Sequence, residues 1–102
     1  MYKGNVIAID IAKSVFQVCA LDKHNNIKVN REIRRQHLVK WLTNQPPSLV
    51  ALEACGSAHF WAKEAIALGH QAIIISARFA KNFLHGHKTD KNDAVAIGIA
   101  AR

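Results

Sequence analysis

The sequence predicts an α/β fold in which helices pack on a mixed five-stranded sheet. Two observations support this class. Three strand-like segments come first, and helical and strand-like segments then alternate to the end of the chain. Half of the 102 residues are hydrophobic, which is enough apolar material for one core. We therefore expect a single domain that covers residues 1–102.

The first three segments predict an antiparallel meander. Residues 5–12 (NVIAIDIA) form a short apolar run rich in β-branched side chains, which is typical of a buried strand. Residues 14–21 and 27–33 alternate between apolar and polar side chains, as strands with one buried face do. Between these two strands, residues 23–26 (KHNN) predict a turn, because Asn tolerates left-handed backbone angles.

The remaining elements alternate, in the order helix 35–43, strand 49–54, helix 58–68, strand 72–76 and a last helix that runs to residue 102. Pro46 and Pro47 end the first of these helices, and Gly69 ends the second. Residues 77–88 are basic and are predicted to be irregular, and Thr89 or Asp90 caps the last helix. The resulting order βββαβαβα is characteristic of ribonuclease-H-like folds.

Charge and cysteine content limit the classes of function. Lys and Arg number 14 against seven acids, and this net charge of +7 favours a polyanionic partner such as nucleic acid. No apolar run reaches the roughly 18 residues that a membrane span needs, so no membrane partner is expected. Cys19 and Cys55 have no paired spacing, which indicates a reducing, cytoplasmic interior. Cys55 is expected to be a packed thiol beside Glu53.

Four acids stand where functional groups gather in an α/β fold. Asp10 is near the carboxyl end of the first strand and Glu53 near that of the fourth, and the predicted sheet places these strands side by side. Asp90 and Asp93 are three residues apart at a helix start, so they share one face. Four neighbouring carboxylates repel one another unless cations bind. We therefore expect two Mg²⁺ or Mn²⁺ ions, which clamp the oxygens of a phosphodiester.

Each acid also has a purely structural interpretation. Asp10 could bond to a turn, Asp90 could cap the helix, and Asp93 could be a first-turn acid that the helix dipole favours. Glu53 is harder to explain in this way, because a carboxylate within LVALEA faces burial and then needs a partner. The four positions taken together favour the metal site.

Basic side chains surround the last two acids. The residues predicted to contact nucleic-acid phosphates beside the metals are Lys13, His87, Lys88 and Lys91. Two other interpretations stay open, a solvated basic loop and a transition-metal site at the His85-x-His87 pair. A second basic cluster between residues 31 and 40 is either a solvated face or a track for a nucleic-acid backbone.

Three segments also resemble a known family. AIDIAK (8–13), LEACGSAHFWA (52–62) and HGHKTDKNDA (85–94) resemble the N-terminal domain of the DEDD transposases of the IS110 family of bacterial insertion sequences. Within this family, the segment EACGSAH is closer to the IS1111 branch. The resemblance covers essentially all 102 residues and implies a Holliday-junction-resolvase-like fold. It also implies metal-dependent DNA strand cleavage and exchange in a bacterial cytoplasm, through the acids Asp10, Glu53, Asp90 and Asp93.

Full-length members of that family continue through a helical region into a second transposase domain, which supplies a serine proposed to attack DNA. Some members use a structured non-coding RNA as a guide. We therefore expect this chain to be the N-terminal catalytic domain, with the C-terminal domain absent. DNA is the expected partner, and catalysis is expected of the full-length protein.

Two alternatives belong to other functional classes. Actin-like ATPases and sugar kinases share the strand order, but residues 10–14 (DIAKS) lack the glycine that a phosphate-binding turn needs. A non-catalytic nucleic-acid-binding or dimerisation module is the second alternative, because the apolar helix VAIGIAAR favours self-association into a homo-oligomer. Joint binding of divalent metal by the four acids distinguishes the catalytic domain from such a module.

Overall fold

The computed structural model describes residues 2–87 and 89–102. Strands and helices follow one another as β1 (Val6–Asp10), β2 (Val15–Leu21), β3 (Ile27–Arg34), α1 (Arg35–Thr43), β4 (Leu49–Glu53), α2 (Ala58–Ala67), β5 (Gln71–Ile75), α3 (Ala77–Lys81) and α4 (Asp90–Ala101). Within these described residues the strands form one sheet in the order β3-β2-β1-β4-β5. β1 pairs antiparallel with β2 and parallel with β4, so the sheet is mixed as predicted.

The sheet lies between two helical layers. On one face, α1 and α2 cover a cluster centred on Ile7, Phe16 and Leu52. On the other face, α3 and α4 cover Ala8, Leu21 and their neighbours. β1 and β4 are buried on both faces, which explains why each appears in the sequence as a continuous apolar run.

Local signals explain most element boundaries. Asn25 has a φ of 65° in the turn between β2 and β3, as the asparagine pair predicts. The Asp22 carboxylate accepts hydrogen bonds from the backbone N–H groups of Asn26 and His24, at 2.9 and 2.8 Å. These bonds, that of Asn26 above all, lower the pKa of Asp22 below its ordinary value of 3.8. Gly69, with a φ of 94°, follows the end of α2.

One helix was not predicted. Residues 77–88 were expected to be irregular, yet α3 occupies Ala77–Lys81. The Ser76 hydroxyl accepts a hydrogen bond from the backbone N–H of Phe79 at 3.2 Å and caps this helix. Packing of Ala80 against the α4 side of the sheet then supports a helix too short to be stable alone.

The last helix was expected to favour self-association because it is apolar. Ala94, Ile97, Gly98 and Ala101 of this helix are buried within the chain itself, and self-association stays a prediction. α4 packs against β1 and β2. Among the residues that the structure describes, no helix is long and apolar enough to cross a membrane.

Candidate metal centre

Three aspartates meet where β1 ends and α4 begins. Asp10 is the last residue of β1, on the same face of the strand as Ala8, and that face is covered by α4. Asp90 and Asp93 lie in the first turn of α4, whose start is capped by the Thr89 hydroxyl accepting from a backbone N–H at 3.1 Å. One carboxylate oxygen from each aspartate lies within 4.8 Å of the others.

A row of polar side chains crosses the sheet beside these aspartates. The strand register places Asp10 opposite Gln17 and Gln17 opposite Glu32, so the three share the α4 face. The buried Gln17 amide donates to Asn30 Oδ1 at 2.8 Å, and Asn30 Nδ2 donates to the carbonyl oxygen of Lys91 at 3.2 Å. Asn30 of β3 therefore holds the first turn of α4 through a side-chain hydrogen bond, and Gln17 of β2 bonds to that side chain.

The sequence did not identify Gln17, Asn30 or Glu32 as site residues. The alternation of β2 and β3 placed them on one face of each strand, but only the strand register brings Gln17 and Glu32 level with Asp10 and Asn30 level with Ala8. Glu32 lines a cavity of about 310 Å³ together with Asp10 and Asp90. It is a fifth carboxylate close to the predicted set.

Glu53 stands apart from the three aspartates. It ends β4 next to the end of β1, as predicted, and its side chain is half-buried. The group of carboxylates within 4.8 Å found among the described residues nevertheless contains only Asp10, Asp90 and Asp93. Glu53 instead lines a second cavity of about 280 Å³ with Asp93, and the lining is completed by residues of α3, by Leu84 after it and by Ala96 of α4. Asp93 therefore belongs to both the aspartate group and the Glu53 cavity.

The predicted phosphate contacts lie around the same end of the sheet. Lys13 is exposed in the turn between β1 and β2, and Lys91 is exposed in the first turn of α4. The carbonyl oxygen of His87 accepts from Asn92 Nδ2 at 2.7 Å, which ties the preceding loop to α4. Lys88 lies outside the described residues.

Two further expectations concern a transition metal and a thiol. In the described part of the chain, the histidine pair 85 and 87 belongs to no group of three or more metal-ligating side chains. Cys55 was expected to be packed beside Glu53, but it is exposed, because β4 ends two residues before it. The buried thiol is Cys19, whose pKa burial raises to about 11.

Sequence comparisons identify related proteins. A family model described as a transposase, that of the DEDD transposases of IS110 elements, matches residues 7–102. A "Probable family 20 transposase" of Pseudomonas aeruginosa is 44% identical over 95 residues, which cover 93% of this chain and 28% of that protein. The transposase for insertion sequence element IS1328 of Yersinia enterocolitica is 38% identical over 92 residues, or 90% of this chain and 28% of that protein.

The transposase for insertion sequence element IS1111A of Coxiella burnetii is 33% identical over 96 residues, which cover 94% of this chain and 26% of that protein. This chain therefore spans little more than a quarter of the length of these relatives.

Two solved structures share the fold. The T. thermophilus RuvC in complex with a Holliday junction substrate superposes with a TM-score of 0.69 at 10% identity, covering 95% of this chain and 91% of that chain. A second Thermus thermophilus RuvC structure gives a TM-score of 0.65 at 13% identity, covering 94% and 92%. The ribonuclease-H-like, resolvase-like architecture expected from the sequence is confirmed.

Proposed function

We propose that this chain, which belongs to the DEDD transposase family of IS110 elements, binds divalent metal. The metal would serve DNA strand cleavage and exchange. Asp10, Asp90 and Asp93 form the core of the metal site, and Glu53 completes the donor set from the adjoining cavity. The observation that carries this proposal is the approach of three aspartate oxygens to within 4.8 Å of one another, from two elements far apart in sequence.

The donors suit Mg²⁺ or Mn²⁺. All of them are carboxylate oxygens, which hard divalent ions prefer to nitrogen or sulfur. Oxygens on opposite sides of Mg²⁺ are about 4.2 Å apart, since each lies about 2.1 Å from the ion. Oxygens that lie within 4.8 Å of one another are therefore close to the spacing that a single ion requires. Glu53 and Asp93, which share a cavity, would contribute to holding a second ion.

Bound metal would supply the Lewis acid that neutralises charge on a phosphodiester and activates the attacking oxygen. The residues of the chain orient this chemistry. Asp10 ends a strand that is buried on both faces, so its position is rigid. Asp90 and Asp93 depend on the start of α4, which the Thr89 cap and the Asn30 bond to Lys91 hold in place. Lys13, His87, Lys88 and Lys91 remain proposed contacts to phosphates.

A manganese titration tests the proposal. Substoichiometric Mn²⁺ is added to the isotopically labelled chain, and broadening of amide NMR signals is followed residue by residue. We expect broadening to centre on residues 10, 90 and 93 and to extend to 53. Asp10→Asn should weaken Mn²⁺ binding by at least about tenfold, the scale of loss seen even when an outer partner of a metal ligand is removed.

The matched control is Glu64→Gln, which removes an acid from α2 on the opposite side of the sheet. This variant should bind Mn²⁺ as the wild type does. Diffuse broadening that Asp10→Asn leaves unchanged would refute a shared metal site. The alternative, a non-catalytic nucleic-acid-binding or dimerisation module, would then be favoured, because such a module has no use for the acids.

The remaining expectations concern the longer protein. The chain spans little more than a quarter of its curated relatives, so DNA cleavage, a second transposase domain and a guide RNA are proposed for a full-length protein. A bacterial cytoplasmic location and a homo-oligomer stay predictions.

A further inference from the structure

The cavity shared by Glu53 and Asp93 has a basic wall that the proposed metal site does not use. Arg78 and Lys81 of α3 line it together with the two acids, and its volume is about 280 Å³. Both basic side chains are exposed, whereas the acids are half-buried. We infer that this cavity receives the phosphate backbone of a DNA strand, with Arg78 and Lys81 as direct phosphate contacts, an inference that rests on the proposed function.

The geometry of α3 directs these residues to the cavity. Arg78 and Lys81 are three residues apart and so are neighbours on the helix surface, and both line the cavity together with Ala77 and Ala80. Ala80 is buried in the same cluster as Ala94 of α4, which keeps α3 against the helix that carries Asp93.

The arrangement of charge favours a phosphate over other ligands. A DNA strand held by metal at Glu53 and Asp93 carries a negative charge on each of its next phosphates. The side chains of Arg78 and Lys81, which line the same cavity, supply the positive charges to bind them. Arg offers a planar fork of donors that matches phosphate oxygens, and Lys offers a point charge. Because both side chains are exposed, a polymer lying across the surface can reach them without any opening of the fold.

The test measures the salt dependence of DNA binding by the full 102-residue chain. Fluorescence anisotropy of a labelled duplex is recorded between about 50 and 200 mM KCl, with the metal removed by EDTA. Each phosphate contact contributes about 0.9 to the slope of log affinity against log salt. The double variant Arg78→Gln, Lys81→Gln should therefore lower the slope by about 2 and weaken binding by about tenfold or more at the lowest salt.

The matched control is Lys63→Gln, which removes an exposed cation from α2 on the opposite side of the sheet. It should leave the slope within about 0.5 of the wild-type value, less than one contact contributes. The same slope for the double variant and this control would overturn the inference, as would wild-type DNA binding that is insensitive to salt. Thermal unfolding of each variant verifies that the fold is retained.

A parallel Mn²⁺ titration separates this inference from the proposed function. The double variant should bind Mn²⁺ no more weakly than the wild type, because removing nearby cations cannot reduce attraction for another cation. An unchanged salt slope with intact Mn²⁺ binding would defeat the phosphate contacts alone. A lowered slope in a chain that shows no Mn²⁺ site would defeat the metal centre and keep the contacts. If the double variant binds Mn²⁺ more tightly but keeps the wild-type salt slope, Arg78 and Lys81 serve to neutralise the acids, and the inference is wrong.

Discussion

At the scale of single residues, Gln17 and Asn30 do more than fill the sheet. Gln17 is 6% exposed and lies opposite Asp10, and its amide donates to the Asn30 side chain at 2.8 Å. Asn30 in turn donates to the carbonyl oxygen of Lys91, which stands between Asp90 and Asp93. The two amides connect β2, the strand beside the one that carries Asp10, through β3 to the helical turn that carries the other two aspartates.

We predict that Asn30→Ala weakens Mn²⁺ binding by roughly tenfold, the lower end of the range for residues that orient metal ligands. The substitution removes the donor to Lys91 and leaves the Gln17 amide, a buried group, without its acceptor. The loss of that bond should also cost about 1–3 kcal/mol of unfolding free energy. Isothermal titration with Mn²⁺ and urea denaturation measure the two effects separately.

Asn26→Ala serves as the comparison, because it removes the side-chain hydrogen bond that Asn26 Nδ2 donates to Asp22 Oδ2 at 3.1 Å, at the far end of the same hairpin. It should lower stability and leave Mn²⁺ affinity unchanged. If Asn30→Ala and Asn26→Ala lower the free energy of unfolding equally and bind Mn²⁺ equally well, Asn30 has a structural role only.

At the scale of elements, α4 approaches the sheet closely because its buried side is made of small residues. A Cβ built on Gly98 would lie 2.8 Å from Leu21 Cδ1 and 3.4 Å from Ala8 Cβ. Ala94 and Ala101 are buried on the same side of the helix. This close contact determines how far the first turn of α4, with its two aspartates, lies from Asp10.

We predict that Gly98→Val destabilises the chain by about 1–3 kcal/mol, because the branched side chain overpacks the contact with β1 and β2. Gly98→Ala should lie within about 1 kcal/mol of wild type, since the gain in helix propensity offsets a contact that the end of Leu21 can relieve. Urea denaturation of both variants gives these differences. A valine variant as stable as the alanine variant would contradict such close packing of α4 on the sheet.

α3 illustrates a different relation between sequence and element. Its five residues contain no periodic pattern long enough to predict a helix, and its stability comes from the Ser76 cap and from Ala80 packing on the fold. The serine was a visible signal, but a cap without an apolar repeat is equally typical of a turn.

At the scale of the whole molecule, one side chain joins regions from both ends of the sequence. Arg102 Nη1 donates to the carbonyl oxygens of Tyr2 and Gly4 at 3.2 and 2.7 Å, and Nη2 donates to that of Asp22 at 2.6 Å. Nε donates to Asn25 Oδ1 at 2.7 Å. The guanidinium thereby fastens the end of α4 to the segment before β1 and to the hairpin turn.

We predict that Arg102→Lys lowers the free energy of unfolding by about 1.5–3 kcal/mol, because one ammonium group cannot replace a planar fork of donors reaching four acceptors. Urea denaturation measures the loss, and amide hydrogen exchange should accelerate most at residues 2–5 and 22–26. Arg34→Lys, an exposed change at the end of β3, should do neither. Unaltered exchange at both segments would contradict the role given to Arg102.

The sequence alone determined the order of every element except α3, and the positions of four acids within them, because both depend on local patterns. Buried strands need continuous apolar runs, meander strands alternate, and acids are favoured at a helix start. These rules predict Asp10 at the end of β1 and Asp90 and Asp93 in the first turn of α4, and the three residues lie there.

Tertiary structure alone decided which groups share a site. Hairpin register brought Glu32 and Gln17 level with Asp10, and no local pattern specifies register across strands. Packing of α3 placed Arg78 and Lys81 with Glu53 and Asp93 around one cavity, while Glu53 stayed outside the group of three aspartates. The reason is that distances between side chains on different elements depend on how closely the helices pack on the sheet. That packing distance is set by contacts such as the one between Gly98 of α4 and the Leu21 side chain of β2.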